Sequence, residues 1–171
     1  MSREDKSFST RQKKAIEAEQ RFIKQYESEG WYIYEYGIHM AEKDNNKFWK
    51  LPKIIQKTPD FICWKPDNIK KPIFVEHKQL GVDWLALKPE QHQEYKRWNN
   101  LMPLYYAIEV VTYTPNGRQY ETFFADWECM EKLAQQSLTD NDGNMQPFPS
   151  ETDGSKVHYP IRSKIIKELM I

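Results

Sequence analysis

Apolar and polar residues follow one another along the chain in a pattern that predicts helices separated by short strands. Between Thr10 and Gly30, apolar residues recur at helical intervals among charged ones, which predicts an amphipathic helix that ends at the glycine. Aromatic and β-branched residues over 31–36 then predict a strand. Residues 1–9 show neither pattern, and we expect them to form a disordered lead.

Two short apolar runs near the middle of the chain predict a β-hairpin. They cover 60–64 and 73–78 and are joined by Pro66-Asp67-Asn68, a typical turn sequence. A helix is predicted from Pro89 to Asn100, because proline is well tolerated in the first turn of a helix. Residues 38–58 carry few periodic signals, and we expect a long connection there with room for a short helix.

The second half of the chain predicts another pair of strands and a helix. Bulky apolar residues over 104–113 are typical of a strand inside a sheet, and 119–125 follow as the return strand after the turn at Pro115-Asn116-Gly117. Asp126 is a suitable N-cap for a helix over 127–136.

The order of these elements predicts an α/β (α+β) fold in which a mixed central β-sheet is flanked by helices. We expect a single domain over 1–171 with its core at about 10–137 and an irregular C-terminal extension over 138–171. Within that extension, 139–156 are rich in turn-forming residues and predict a loop, and 161–171 predict a last short helix.

Composition narrows the range of functions. The 171 residues include 25 basic and 25 acidic side chains, so a nucleic-acid-binding surface would require basic residues gathered on one side. Cys63 and Cys129 are too few for a zinc or iron–sulfur cage and are expected to be reduced thiols. No apolar run is long enough for a membrane span, and the polar N-terminus is not a secretory signal, so we expect a cytoplasmic protein.

Asp60, Glu76 and Lys78 are the residues of the hairpin that could support catalysis. Side chains alternate along a strand, so Glu76 and Lys78 point to one face and His77 to the other, while hairpin pairing brings Asp60 beside Glu76. Two carboxylates suit Mg²⁺, and a nearby lysine can orient water and stabilise developing charge. The pattern indicates a phosphodiester-hydrolysing site, although a surface hairpin with two acids and a base also fits it.

Pro59-Asp60 followed by Glu76-His77-Lys78 resembles the signature of the PD-(D/E)XK nuclease superfamily, whose fold is restriction-endonuclease-like. The resemblance covers about residues 15–111. It implies a core of helix, strand, motif-bearing hairpin, helix and strand, and a Mg²⁺-dependent activity on DNA in which Mn²⁺ can substitute. It also implies that Asp60, Glu76 and the backbone carbonyl of His77 bind the metal. The connection between Tyr36 and Pro59 is longer than in compact members.

Two further candidates depend mainly on this resemblance. Glu19 holds the position of an additional acid found in archaeal-type Holliday-junction resolvases, and Gln91 that of a glutamine near the metal in the VRR-NUC branch. Glu19 is also compatible with a solvated helix position, and Gln91 with an ordinary first-turn residue. The connection carries lysines that could contact DNA phosphates, or could simply face solvent: Lys43, Lys47, Lys50, Lys53 and Lys57.

These observations predict a metal-dependent deoxyribonuclease, with an endonuclease expected, that acts through Asp60, Glu76 and Lys78 with Glu19 and Gln91 assisting. The alternative is a nuclease fold without activity that binds DNA or a protein. A junction resolvase, a restriction or homing type of endonuclease and an exonuclease all remain compatible with this core. Small nucleases often pair to reach both strands, so a homodimer is also compatible.

Overall fold

The computed structural model describes residues 3–37, 50–66, 71–80, 84–138 and 159–168. The helices of this part of the chain are α1 (Arg3–Ser28), α2 (Lys53–Gln56), α3 (Pro89–Leu101), α4 (Trp127–Ser137) and α5 (Ser163–Glu168). The strands are β1 (Tyr32–Glu35), β2 (Phe61–Trp64), β3 (Ile73–Gln79), β4 (Trp84–Leu87), β5 (Leu104–Thr114), β6 (Gly117–Asp126) and β7 (Tyr159–Arg162).

A mixed five-stranded sheet forms the centre of the fold, in the order β1-β2-β3-β5-β6. Strands β1, β2 and β3 pair antiparallel, β3 and β5 pair parallel, and β5 and β6 form a long antiparallel hairpin. Helix α3 lies between β3 and β5 in the sequence and provides the crossover that a parallel pair requires. The predicted α/β fold with a mixed sheet and flanking helices is confirmed.

The two faces of the sheet bury different clusters. Helix α1 places Phe22 and Tyr26 against Phe61, Val75 and their neighbours on one face, which we call the α1 face. The larger cluster lies on the other face, which we call the α3 face. It is formed by apolar side chains of β3, β5, α3 and α4, together with the separate β4–β7 pair. Alternation of side chains along the strands assigns each residue of the sheet to one of these faces.

Most predicted elements are confirmed within a residue or two of their ends. Gly30 ends α1 with a left-handed backbone, at φ 86°. Asp126 caps α4 by accepting a hydrogen bond from the Cys129 backbone N–H at 2.7 Å. The short helix expected in the 38–58 connection is α2, whereas 38–49 lie outside the described residues.

The ends of the chain differ from the predictions. Helix α1 begins at Arg3, so 3–9 are helical rather than part of a disordered lead. The expected C-terminal extension is wrong for 159–168, because β7 and α5 bury Tyr159, Ile161 and Ile166 in the main core. Residues 159–162 form a strand before the last helix, and the predicted loop over 139–156 lies outside the described residues.

Strand β4 was not predicted. It pairs antiparallel with β7, and Leu85 and Leu87 are fully buried.

Among the helices that the structure describes, none is long and apolar enough to cross a membrane.

Candidate active site

Asp60 lies immediately before β2, where the backbone of the edge strand holds it in place. Its carbonyl accepts hydrogen bonds from the N–H groups of Tyr36 and Gly37, at 2.8 and 2.9 Å. A Cβ at Gly37 would lie 3.1 Å from the Asp60 Cα and 3.3 Å from the Pro59 carbonyl oxygen, so a side chain there would force this backbone to shift by a few tenths of an ångström. The Asp60 side chain accepts from the His77 backbone N–H at 2.8 Å, which directs it toward β3.

Glu76 lies on β3 with only 1% of its surface exposed. A buried carboxylate needs hydrogen bonds to offset its lost hydration, and this one has several. Lys78 and Gln91 both donate to Oε1, the glutamine at 3.0 Å, and the Tyr95 hydroxyl donates to Oε2. Lys78 and Glu76 are two residues apart on one strand, so the sequence predicted their shared face correctly.

Helix α3 supplies the groups that surround Glu76 from above the sheet. Gln91 and Tyr95 are one helical turn apart and face the same way, and the Gln91 amide also lies 2.6 Å from the Tyr95 hydroxyl. Burial, then the charges of Glu76 and Asp60, raise the pKa of Tyr95 well above its usual value. Its hydroxyl is therefore a proton donor throughout the ordinary pH range. Sequence reasoning identified Gln91 and missed Tyr95.

The charges of the site are strongly coupled. Burial and the adjacent Glu76 raise the pKa of Asp60 well above its usual value, while Lys78 acts in the opposite direction. Burial alone would lower the pKa of Lys78, but Glu76 and Asp60 outweigh it and the pKa is raised. Lys78 therefore remains a cation, held between two acids with 20% of its side chain exposed.

Glu19 lies on α1 and acts on the site through its charge. It raises the pKa of both Asp60 and Lys78, in each case by less than Glu76 does. In the described part of the chain, no group of three or more His, Cys, Asp or Glu side chains is arranged to hold a metal ion. The structure thus brings Asp60 and Glu76 together, whereas Glu19 does not join them in a three-acid group.

His77 presents its backbone and its side chain to different surroundings. Its N–H is directed at Asp60, and because the N–H and C=O of one strand residue point to the same side, its carbonyl is directed there too. The imidazole lies on the α1 face, 5.5 Å from the Phe22 ring. Burial lowers its pKa to about 4, and its Nε2 has no hydrogen-bond partner among the described residues. The ring is not placed to act on the site.

The oxygen atoms gathered here are of the kind that Mg²⁺ and similar divalent cations bind. Glu76 raises the pKa of Asp60 by charge repulsion, and an oxygen-binding cation would offset that repulsion. A carboxylate has about four acceptor positions, and the contacts above use one on Asp60 and three on Glu76. The residues present therefore fit such an ion, with Asp60, Glu76 and the His77 carbonyl as the oxygen donors.

Three of the five lysines predicted to contact DNA lie within the described residues. Lys50 and Lys53 are exposed and Lys57 is half-buried, whereas Lys43 and Lys47 lie outside the described residues. Helix α2 is fixed near the site because the Trp98 side chain donates to the Ile54 carbonyl at 3.3 Å.

The imidazole of His92 is buried and holds neighbouring elements together. Its Nδ1 lies 2.6 Å from the Tyr106 hydroxyl and its Nε2 lies 2.7 Å from Glu131. Its ring stacks on Trp127 at 5.1 Å between centroids. These contacts fix α3 against the sheet and against α4.

The fold and the site together define a mixed α/β domain with a coupled acid pair and a buried lysine on neighbouring strands. A scan against protein-family models found no match to this chain, and a search of the curated proteins found none either.

Proposed function

We propose that this protein is a metal-dependent deoxyribonuclease of the PD-(D/E)XK type that cleaves DNA internally. The observation that carries the proposal is the convergence of Asp60, Glu76 and Lys78 at the point where β2 begins beside β3, with Lys78 in direct contact with Glu76. A phosphodiester-cleaving site needs a cation-binding acid pair and a positive group beside the phosphate, and these side chains supply both.

The order of the elements also supports the proposal. Helix α1, the antiparallel strands β1 to β3, helix α3 and the parallel strand β5 follow the order that the resemblance implies for the nuclease core. The acids and the lysine lie on the strands that carry the motif in that family.

Each residue has a role that follows from its position. Asp60, Glu76 and the His77 carbonyl would hold the cation, which when bound supplies Lewis-acid activation of water and neutralises charge on the phosphate. Lys78 orients the attacking water and stabilises negative charge as the phosphodiester bond is broken. Gln91 and Tyr95 hold Glu76 in one orientation by donating to its two oxygens. Glu19 adds negative charge that favours cation binding.

The partner under this proposal is DNA, and the sequence led us to expect a cytoplasmic protein. Lys50, Lys53 and Lys57 lie near the site on and beside α2 and would contact phosphates. Pairing of two copies to cut both strands is part of the same hypothesis, and the mass of the protein in solution tests it.

The direct test is a cleavage panel of single-stranded, duplex, flap and four-way DNA with Mg²⁺, Mn²⁺ or EDTA. Glu76→Gln and Asp60→Asn should each reduce the cleavage rate by at least roughly a hundredfold, because each removes a cation-binding charge while keeping the side chain's shape. Glu121→Gln is the matched control, since Glu121 is an exposed strand glutamate, and should cleave like wild type. Circular dichroism verifies that each variant is folded.

Cleavage by both site variants at the wild-type rate would show that a contaminating nuclease is responsible, and the proposal would fail. Tight DNA binding without cleavage in either metal would instead support the alternative, a nuclease fold that has become a binding module.

A further inference from the structure

Three large aromatic side chains lie exposed together at the edge of the sheet. Tyr32 is 64% exposed, Tyr34 68% and Trp64 42%, and the rings of Tyr32 and Trp64 stack with their centroids 5.6 Å apart. We call these residues the aromatic strip. Exposed apolar residues are common as single side chains, but adjoining ones form a patch, and such patches often mark a binding surface.

The aromatic strip lies on the same face of the sheet as the candidate active site. In the β1–β2 register, Tyr32 is opposite Trp64 and Tyr34 is opposite Ile62. Ile62 packs on the α3-face cluster, so alternation places the whole strip on that face. Asp60 follows in the same row of side chains. At about 3.3 Å per residue, Trp64 lies roughly 13 Å from Asp60 along the strand, and Tyr34 lies closer.

We propose that the aromatic strip binds the unpaired bases of a single-stranded DNA segment whose backbone continues to the site at Asp60 and Glu76. The identification of DNA depends on the proposed function, and the strip specifies which form of DNA the protein receives. Aromatic side chains stack on any base, because every base has a π-face. Stacked bases of an intact duplex do not present those faces, so a duplex could contact only the neighbouring lysines.

Basic residues lie at both ends of the strip, as a single-strand channel requires. Lys71 is exposed on the other arm of the same hairpin, two residues before Ile73, which pairs with Cys63 beside Trp64. At the end toward the site, Lys53 and Lys57 precede Asp60. Phosphates of a strand lying on the rings would therefore meet positive charge before and after the stacked bases.

The experiment measures DNA binding in EDTA, so that cleavage plays no part. A fluorescein-labelled oligothymidine and a blunt duplex of equal length are titrated by fluorescence anisotropy with wild type, Tyr34→Ala and Trp64→Ala. Each substitution should weaken binding of the oligothymidine by about fivefold or more and leave duplex binding little changed. Tyr34→Phe keeps the ring and should bind like wild type. Tyr113→Ala is the matched control, because Tyr113 is 75% exposed on the opposite face.

Equal affinity for oligothymidine in wild type, Tyr34→Ala and Trp64→Ala would overturn the inference, as would failure of the wild type to bind it. A change in molecular mass of these variants in solution, without a change in DNA binding, would identify the strip as a contact between copies and would also overturn it. Cleavage of the DNA panel in Mg²⁺ by the same preparations tests the proposed function separately. The protein could therefore cleave DNA although the strip does not bind oligothymidine. Equally, the strip could bind oligothymidine although the protein does not cleave DNA.

Discussion

Among single residues, Glu76 has the environment that explains most of the site. It lies on the central strand β3, it is buried, and it accepts hydrogen bonds from Lys78, Gln91 and Tyr95. Donors on both of its oxygens hold this carboxylate in one orientation. The site thus depends on side chains from α3 as much as on the two strands that carry the acids.

Tyr95→Phe tests the contribution of α3 to that orientation. The variant keeps the ring in the core and removes the hydroxyl that donates to Glu76. We expect the Mg²⁺ concentration needed for half-maximal cleavage to rise about 10- to 100-fold, the usual effect of losing a partner of a metal ligand. The free energy of unfolding should fall by only about 1 kcal/mol.

The control for Tyr95→Phe is Tyr105→Phe, which removes a hydroxyl on the α1 face, away from Glu76. A Mg²⁺ titration of the cleavage rate and urea unfolding of both variants provide the measurements. If Tyr95→Phe and Tyr105→Phe respond to Mg²⁺ identically, the Tyr95 hydroxyl has no part in holding Glu76.

The sequence indicated Asp60, Glu76 and Lys78 because strand alternation and hairpin pairing are local rules that need no further information. Tyr95 escaped notice because its role depends on which side of α3 faces the sheet. The available signal was its spacing of one helical turn from Gln91. The coupling of Glu19 to the acids depends on the packing of α1, which periodicity does not determine.

Among the helices and strands, the β4–β7 pair contributes a part of the core that the sequence pattern concealed. Both strands are four residues long, and β7 contains Pro160, which argues against a strand when read in isolation. Four apolar residues such as those of β4 also lack the length to distinguish a strand from a loop. Only their mutual pairing, between distant parts of the chain, defines them.

Ile161→Ala tests whether β7 belongs to the core. Ile161 is fully buried opposite Leu85, so truncation should lower the free energy of unfolding by about 2–5 kcal/mol through lost burial and the cavity that remains. Leu101→Ala is the comparison, since Leu101 is 72% exposed, and should change stability by less than about 0.5 kcal/mol. Equal midpoints for the two variants in urea would show that β7 does not pack as described.

Across the whole fold, the two faces of the sheet separate structural from chemical roles. The α1 face contains the bidentate contact of Arg21 with the buried Glu109, at 3.0 and 2.8 Å, and the buried ring of His77. The α3 face contains the acid pair, Lys78 and the aromatic strip. Acid sensitivity of the fold should therefore come in part from groups outside the candidate active site.

The stability of the protein should decrease in acid because of His77. Burial lowers its pKa from 6.5 to about 4 in the folded state. Between those values the unfolded chain binds more protons at this position, so the free energy of unfolding falls as the pH falls through this window. The loss attributable to His77 should reach about 3 kcal/mol near the lower value.

His77→Leu provides the comparison, because an apolar side chain at this position cannot bind a proton. Urea unfolding of both proteins at a series of pH values between 6.5 and about 4 should show the wild type losing free energy of unfolding relative to the variant as the pH falls. The raised pKa of Asp60 acts in the opposite sense, but it contributes to both proteins and does not alter the difference. Parallel curves would mean that the imidazole is protonated without cost in the folded state.

The attachment of Asp60 to the edge strand has a consequence for how long the site stays assembled. The Asp60 carbonyl is bonded to Tyr36 and Gly37 at the end of β1. This strand has four residues and, within the described part of the chain, a neighbouring strand on one side only. Short edge strands detach by local fluctuation far more often than a domain unfolds. Each such opening would release the backbone of the aspartate while the rest of the sheet remained intact. We therefore expect the acid pair to lose this support by fraying of the edge more often than by global unfolding.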